Sequence, residues 1–176
     1  MTLARRRVLQ LGGGAFATLL RPALLQAAAL QEVEMRGTAR GEHVWFHPHG
    51  LAVAVGTRVR FINRDPGNSH TATAYHPENF DRARRIPKAA AAWDSDFLLP
   101  DESFEVLLSE PGVYDYYCLP HEMAAMVGRI VVGTPSDPRW QGPSPDTNDI
   151  SQAVLEAFPP VDVILKHRQV TREDAM

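Results

Sequence analysis

The 176-residue sequence contains a single cysteine, Cys118. One thiol cannot close an internal disulfide, so packing, hydrogen bonds or a metal must hold the fold. A binuclear thiolate-bridged copper centre, which takes two cysteines, is excluded for the same reason. Apolar residues make up 44% and charged residues 22%, the proportions of an ordinary soluble domain rather than of a membrane bundle or a disordered chain. No helix of convincing length is legible between residues 31 and 133, and no internal repeat. An excess of positive charge is missing too: the whole chain stands at −3. Without residues 1–29, Lys+Arg falls from 18 to 14 while Asp+Glu stays at 21, which leaves a net charge near −7. So acidic a chain lacks the basic face that phosphate backbones require, which argues against nucleic acid and fits a partner with a basic docking surface.

The first thirty residues differ from the rest. Arg5, Arg6 and Arg7 precede an apolar, glycine-bearing run that ends in small residues around Ala27 to Ala29. This is the layout of an export signal with an Ala-x-Ala cleavage site, and Arg5-Arg6-Arg7-Val8-Leu9-Gln10 resembles a twin-arginine address. Arg21 and Pro22 interrupt the run, which is too short for a comfortable membrane span, so cleavage is expected rather than retention as an anchor. The expected division is an export signal over 1–29, one domain over 30–133, and a proline-rich connector with a C-terminal extension over 134–176.

Short alternating runs follow. Val33 and Met35 alternate with charged residues; Leu51, Val53 and Val55 share one parity before Gly56; Val59 and Phe61 continue it. Phe104, Val106 and Leu108 form another run, residues 112–118 follow the turn pair Pro111-Gly112, and Ile130 and Val132 close the series. Such spacing predicts an all-β fold, an antiparallel Greek-key sandwich or small barrel. The stretch 74–96 reads as a long loop with a helical turn near Lys88 to Ala92. Past the connector, Ile150, Val154, Leu155 and Phe158 share one side of a helix that Pro159-Pro160 stops, and residues 161–170 read as a second short helix or an edge strand. The extension is expected to wrap the sandwich.

Cys118 ends a predicted strand. Pro120 turns the chain so that His121 points back toward the same centre, and Met126 returns just before the last strand. One loop thus offers a thiolate, an imidazole and a thioether. His70, which opens the segment "HTATAY" after the turn "RDPGNS", supplies a second imidazole. Two histidines, one cysteine and a weak axial methionine are the donor set of a blue-copper electron-transfer site. Zinc shares the Cys/His donors but seldom recruits methionine. Nucleophilic catalysis by Cys118 with His121 or His70 as base lacks both an orienting third group and an oxyanion-hole signature.

Over residues 33–133 the chain resembles the cupredoxins of the plastocyanin, pseudoazurin and halocyanin type. The carrying segments are "FHPHGLAVAVGTRVRFINRD", His70, and "PGVYDYYCLPHEMAAMVGRIVVG" with its Cys-x-x-His-x-x-x-x-Met. The resemblance implies one mononuclear type 1 copper ion held by His70, Cys118, His121 and Met126, with Thr71 standing where many relatives have asparagine. Met123, the rival axial ligand, lies too close to His121 in sequence for both side chains to share one turn. Tyr114 and Tyr116 share the parity of Cys118 and are expected beneath the site, with Tyr117 on the other face. His43, His47, His49, His76 and His167 are expected to face solvent.

The implied function is single-electron transport between redox partners outside the cytoplasm, in the periplasm or its equivalent, with no enzymatic activity. A cytochrome or a copper or haem oxidoreductase would dock near His121, with the protein monomeric and the mature chain free of transmembrane spans. The alternatives are an exported copper carrier or store, and a copper-sensing or structural module whose tail contacts a partner.

Overall fold

The computed structural model describes residues 30–38, 40–41 and 43–172. The expected export signal, 1–29, lies outside them. β1 (Leu30–Gly37), β2 (Val44–His47), β4 (Thr57–Asn63) and β6 (Ser103–Leu108) form one sheet in the order β2-β1-β4-β6. The second sheet has the order β5-β7-β8-β3-β9, from β3 (Gly50–Val53), β5 (Thr73–Ala74), β7 (Gly112–Tyr117), β8 (Val127–Val132) and β9 (Gln169–Val170). The all-β sandwich expected from the alternation is present. One part of that expectation is corrected: β1 pairs with β4, and β3 with β8, in parallel. Alternation tells which face a residue takes, not which way its strand runs. Here the chain changes sheets after β2 and again after β3, and each change returns it beside a strand of the same direction.

The core lies between the sheets. Val33, Met35, Phe46, Val59, Phe61, Tyr114, Tyr116, Ile130 and Val132 are all buried there. Phe46 and Phe61 meet the Tyr116 ring edge-on at centroid distances of 4.7 and 5.1 Å, an arrangement the ring quadrupoles favour. Gly128 makes room for that ring, since a Cβ there would lie 2.3 Å from the tyrosine hydroxyl.

The second sheet is covered on its outer face as well, which is why every residue of β3, β7 and β8 is buried. The cover is the C-terminal extension. α1 (Gln152–Glu156) starts at Ser151, whose hydroxyl accepts from the Val154 amide, and α2 (Val161–His167) follows Pro159-Pro160. Ile150, Val154 and Phe158 pack on Tyr75, Tyr117 and Val127, while Ile164 and Val170 pack on Ala52, Val113 and Val131. The expected wrapping is therefore observed, and residues 161–170 supply both a helix and an edge strand. Beneath the extension, Asp115 and Arg129 face each other across β7 and β8. Arg129 and Arg85 both donate to the fully buried Asp115 carboxylate, and both guanidinium groups stand over the Phe158 ring at 5.0 and 5.3 Å.

The 74–96 loop contains no helix. A turn closes with Ala90 donating to the Pro87 carbonyl at 2.9 Å, and the Asn79 side chain ties the loop ends by donating to the Ala74 and Trp93 carbonyls. His43 and His167 are exposed and His47 half-buried, but His49 and His76 are buried, contrary to expectation. His49 sits at the corner between the sheets, where its amide donates to Val170, so a strand from the far end of the chain helps to cover it. The His76 ring accepts from the Glu78 amide inside the long loop.

Candidate metal centre

The segment after β7 is shaped by its own residues. Pro120 sets the first turn of a 3-10 helix, Leu119–Ala124, and Ala125 ends it in the left-handed region at φ 59°. Cys118 donates its amide to the Met126 carbonyl at 3.0 Å, so the loop closes on itself and leaves the thiol and His121 on one side. His70 arrives from a different element: its amide and carbonyl pair with Leu98, which pins the residue across the site from the loop.

His70, Cys118 and His121 come together as expected. The Cys118 sulfur lies 3.5 Å from His70 Nδ1 and 3.4 Å from His121 Nδ1, and one donor atom from each of the three residues falls within 4.8 Å of the others. A thiolate and an imidazole bound to one first-row ion at roughly 2.3 and 2.0 Å stand about 3.5–3.7 Å apart at trigonal to tetrahedral angles. The donors therefore fit a single small ion. His70 and Cys118 are fully buried, whereas His121 is partly exposed. Met126 is fully buried in the same cluster as Cys118, and Met123 is 82% exposed. Burial thus leaves Met126 as the loop thioether that can face the interior.

Electrostatics suit a soft metal. Burial, eased by the Thr71 amide donating to the sulfur at 3.3 Å, pushes the Cys118 thiol up to about 11. Burial also lowers both imidazoles, with Asp65 partly offsetting this for His70 and the nearness of His70 adding to it for His121. Both rings are therefore neutral at pH 7 and carry a lone pair for a metal.

Two supporting groups escaped the sequence reading. Thr71, noted only as a departure from the family pattern, ties the two ligand segments together. Its Oγ1 accepts from the Leu119 amide at 2.8 Å, its hydroxyl donates to Thr73 Oγ1 at 2.8 Å, and Thr73 donates to Asp94 at 2.8 Å. Asp65 lies in the turn before His70 and meets His70 Nε2 at 3.0 Å. Burial works against its charge, but donors from Asn68, Gly67 and His70 outweigh it and hold the carboxyl below its ordinary range. The signal available for Asp65 was its place in "RDPGNS", five residues before His70.

Residues 33–133 match the copper binding proteins of the plastocyanin/azurin family. Plastocyanin from Chlamydomonas reinhardtii is 35% identical over 135 residues, covering 73% of this chain and 83% of that protein. Plastocyanin from Prochlorothrix hollandica is 31% identical over 116 residues, covering 65% and 82%. The match to the plastocyanin major isoform of Arabidopsis thaliana, 36% identical over 95 residues, spans 49% of this chain and 51% of that protein. Among solved structures, a pseudoazurin from Sinorhizobium aligns over 62% of this chain and 77% of its own with a TM-score of 0.48 and 30% identity. With a family match across more than half the chain and a soft-donor cluster of fitting size, the protein belongs to the plastocyanin/azurin family of copper-binding proteins.

Proposed function

We propose that the protein is a single-electron carrier working outside the cytoplasm, in which His70, Cys118, His121 and Met126 would hold one type 1 copper ion. The observation that carries this reading is the convergence of one buried sulfur and two imidazole nitrogens from two separate segments within 4.8 Å. When bound, the copper supplies a one-electron couple. The chain supplies a rigid cradle: Thr71 bonds both ligand segments, Leu98 pins His70, and the loop closes on Met126. A cradle fixed by such bonds changes little when the charge at its centre changes, which is what fast transfer without substrate binding requires.

Electrons are taken to pass at the His121 side. That residue is partly exposed, and around it Pro120, Met123 and Ala124 are exposed with Leu119 half-buried, an apolar rim suited to brief protein contacts. Export by the segment 1–29 belongs to the same reading, as does a redox protein such as a cytochrome as partner. Copper-loaded protein is expected to show intense visible thiolate-to-copper absorption and reversible one-electron reduction without loss of metal. Metal release on each reduction would instead favour a copper carrier. Ala124→Lys is expected to leave the spectrum intact and slow electron transfer to a cytochrome at least tenfold; an unchanged rate would remove this rim from the mechanism.

A further inference from the structure

We propose that Asp65 is a positioning residue of the metal centre, fixing the tautomer of His70 and placing a permanent negative charge behind that ligand. The proposal rests on the reading of His70 as a copper ligand. Asp65 is 1% exposed and His70 0%. The carboxylate accepts at every side: Oδ1 from the Gly67 amide at 2.9 Å, Oδ2 from Asn68 Nδ2 at 2.8 Å and from His70 Nε2 at 3.0 Å. Three converging N–H donors match the ionised carboxylate, which only accepts. With its proton committed to Nε2, the His70 ring presents the Nδ1 lone pair on the side of the Cys118 sulfur.

The surrounding turn is built to hold this group. Asn63, fully buried, uses Oδ1 to accept from the Asp65 amide at 2.9 Å and Nδ2 to donate to the Asn68 and Leu98 carbonyls at 2.8 and 2.9 Å. Gly37 on β1 leaves the space the carboxylate fills: a Cβ there would stand 1.9 Å from Oδ2 and 2.7 Å from Cγ. Within the turn, Oδ1 caps the Gly67 amide and Oδ2 takes the Asn68 side chain. Oδ2 also reaches beyond the turn, to His70 Nε2. A buried charge is costly unless hydrogen bonded, and this one is bonded to the ring of a ligand. Its consequence for the couple, Cu(II) plus one electron giving Cu(I) with no proton crossing, is to favour the more positive oxidised state and so make the reduced protein a stronger donor.

The test uses Asp65→Asn, Asp65→Leu and Gly37→Ala in the full chain. In the metal-free protein, nitrogen NMR of the His70 ring is expected to show Nε2 protonated and Nδ1 bare. Asparagine, which still accepts, is expected to keep that state, and leucine to mix the tautomers. In the copper-loaded protein, Asp65→Asn is expected to keep the visible band and shift the Cu(II)/Cu(I) equilibrium toward Cu(I) at least tenfold, about 59 mV for one electron. Gly37→Ala, which displaces the carboxylate without removing it, is expected to shift it in the same direction. An unchanged potential in both variants with an intact band would overturn the charge role, and an unmixed tautomer in Asp65→Leu would overturn the positioning role. Absence of the visible band in the wild type would sink the copper reading instead, and the metal-free NMR would then decide the positioning claim alone.

Discussion

Cys118 has to lose its proton before it can bind a metal, and burial makes that loss difficult. A thiol pushed up to about 11 is protonated at neutral pH, while the two imidazoles, lowered by burial, are already neutral there. Copper uptake at pH 7–8 is therefore expected to release close to one proton per ion, and apparent affinity to rise about tenfold per pH unit until the thiol titrates. Calorimetry in buffers of different ionisation enthalpy measures the proton count; a count near zero would mean that a preformed thiolate already waits in the site. Cys118→Ser is expected to abolish the visible band. The two methionines separate just as sharply. Met126→Gln, inside the core, is expected to retain copper but lower the potential, because a harder oxygen donor favours Cu(II). Met123→Gln, at a position 82% exposed, is expected to change it little. If voltammetry ranks the two the other way round, the axial assignment fails.

At the scale of elements, the ligand loop is held from outside by a latch. Arg82 in the long loop donates to both oxygens of Glu122, at 2.8 and 2.6 Å, Tyr75 donates to the same carboxylate at 2.6 Å, and Arg82 also pairs with Asp149 of the extension. The Arg82 guanidinium lies 4.9 and 5.1 Å from the centres of the Tyr117 and Tyr75 rings. Arg82→Ala strips a charged partner from a carboxylate only 14% exposed and is expected to cost about 2 kcal/mol in chemical denaturation. Faster copper loss to a chelator is expected with it, since Glu122 adjoins His121. Nothing in the sequence pointed to this latch, because its members lie 40 and 67 residues apart and carry no periodic signal. The cluster of His70, Cys118 and His121 was legible for the opposite reason: Cys118, His121 and the expected axial Met126 crowd into a single loop. Val33, Met35, Phe61, Tyr114, Tyr116 and Tyr117 took their expected faces because a period of two is local. His49 and His76 were misread because their cover comes from distant or aperiodic chain, and β2 went unread because four residues after an irregular turn give alternation too little length.

Across the whole molecule, the extension is part of the fold. Val154, Phe158, Ile164 and Val170 are each almost fully buried, and burial of such side chains stabilises by about 1.5–3 kcal/mol apiece. Their sum is comparable to the entire stability of a typical domain. Asp115→Asn would leave Arg85 and Arg129 short of their shared counter-charge beneath Phe158, and is expected to cost about 3–5 kcal/mol in denaturant unfolding; a loss below 1 kcal/mol would show that water reaches this trio. The extension also decides what the second sheet offers to other molecules. Its two outermost strands, β5 and β9, are two residues long apiece. A border so short gives a neighbouring chain almost no backbone to zip against. Strand β9 covers β3, a four-residue run of wholly buried residues that would otherwise form an open border. Without residues 134–172 the Gly50–Val53 run would thus lie open as an adhesive strip, so the extension serves as the protein's guard against polymerising with itself.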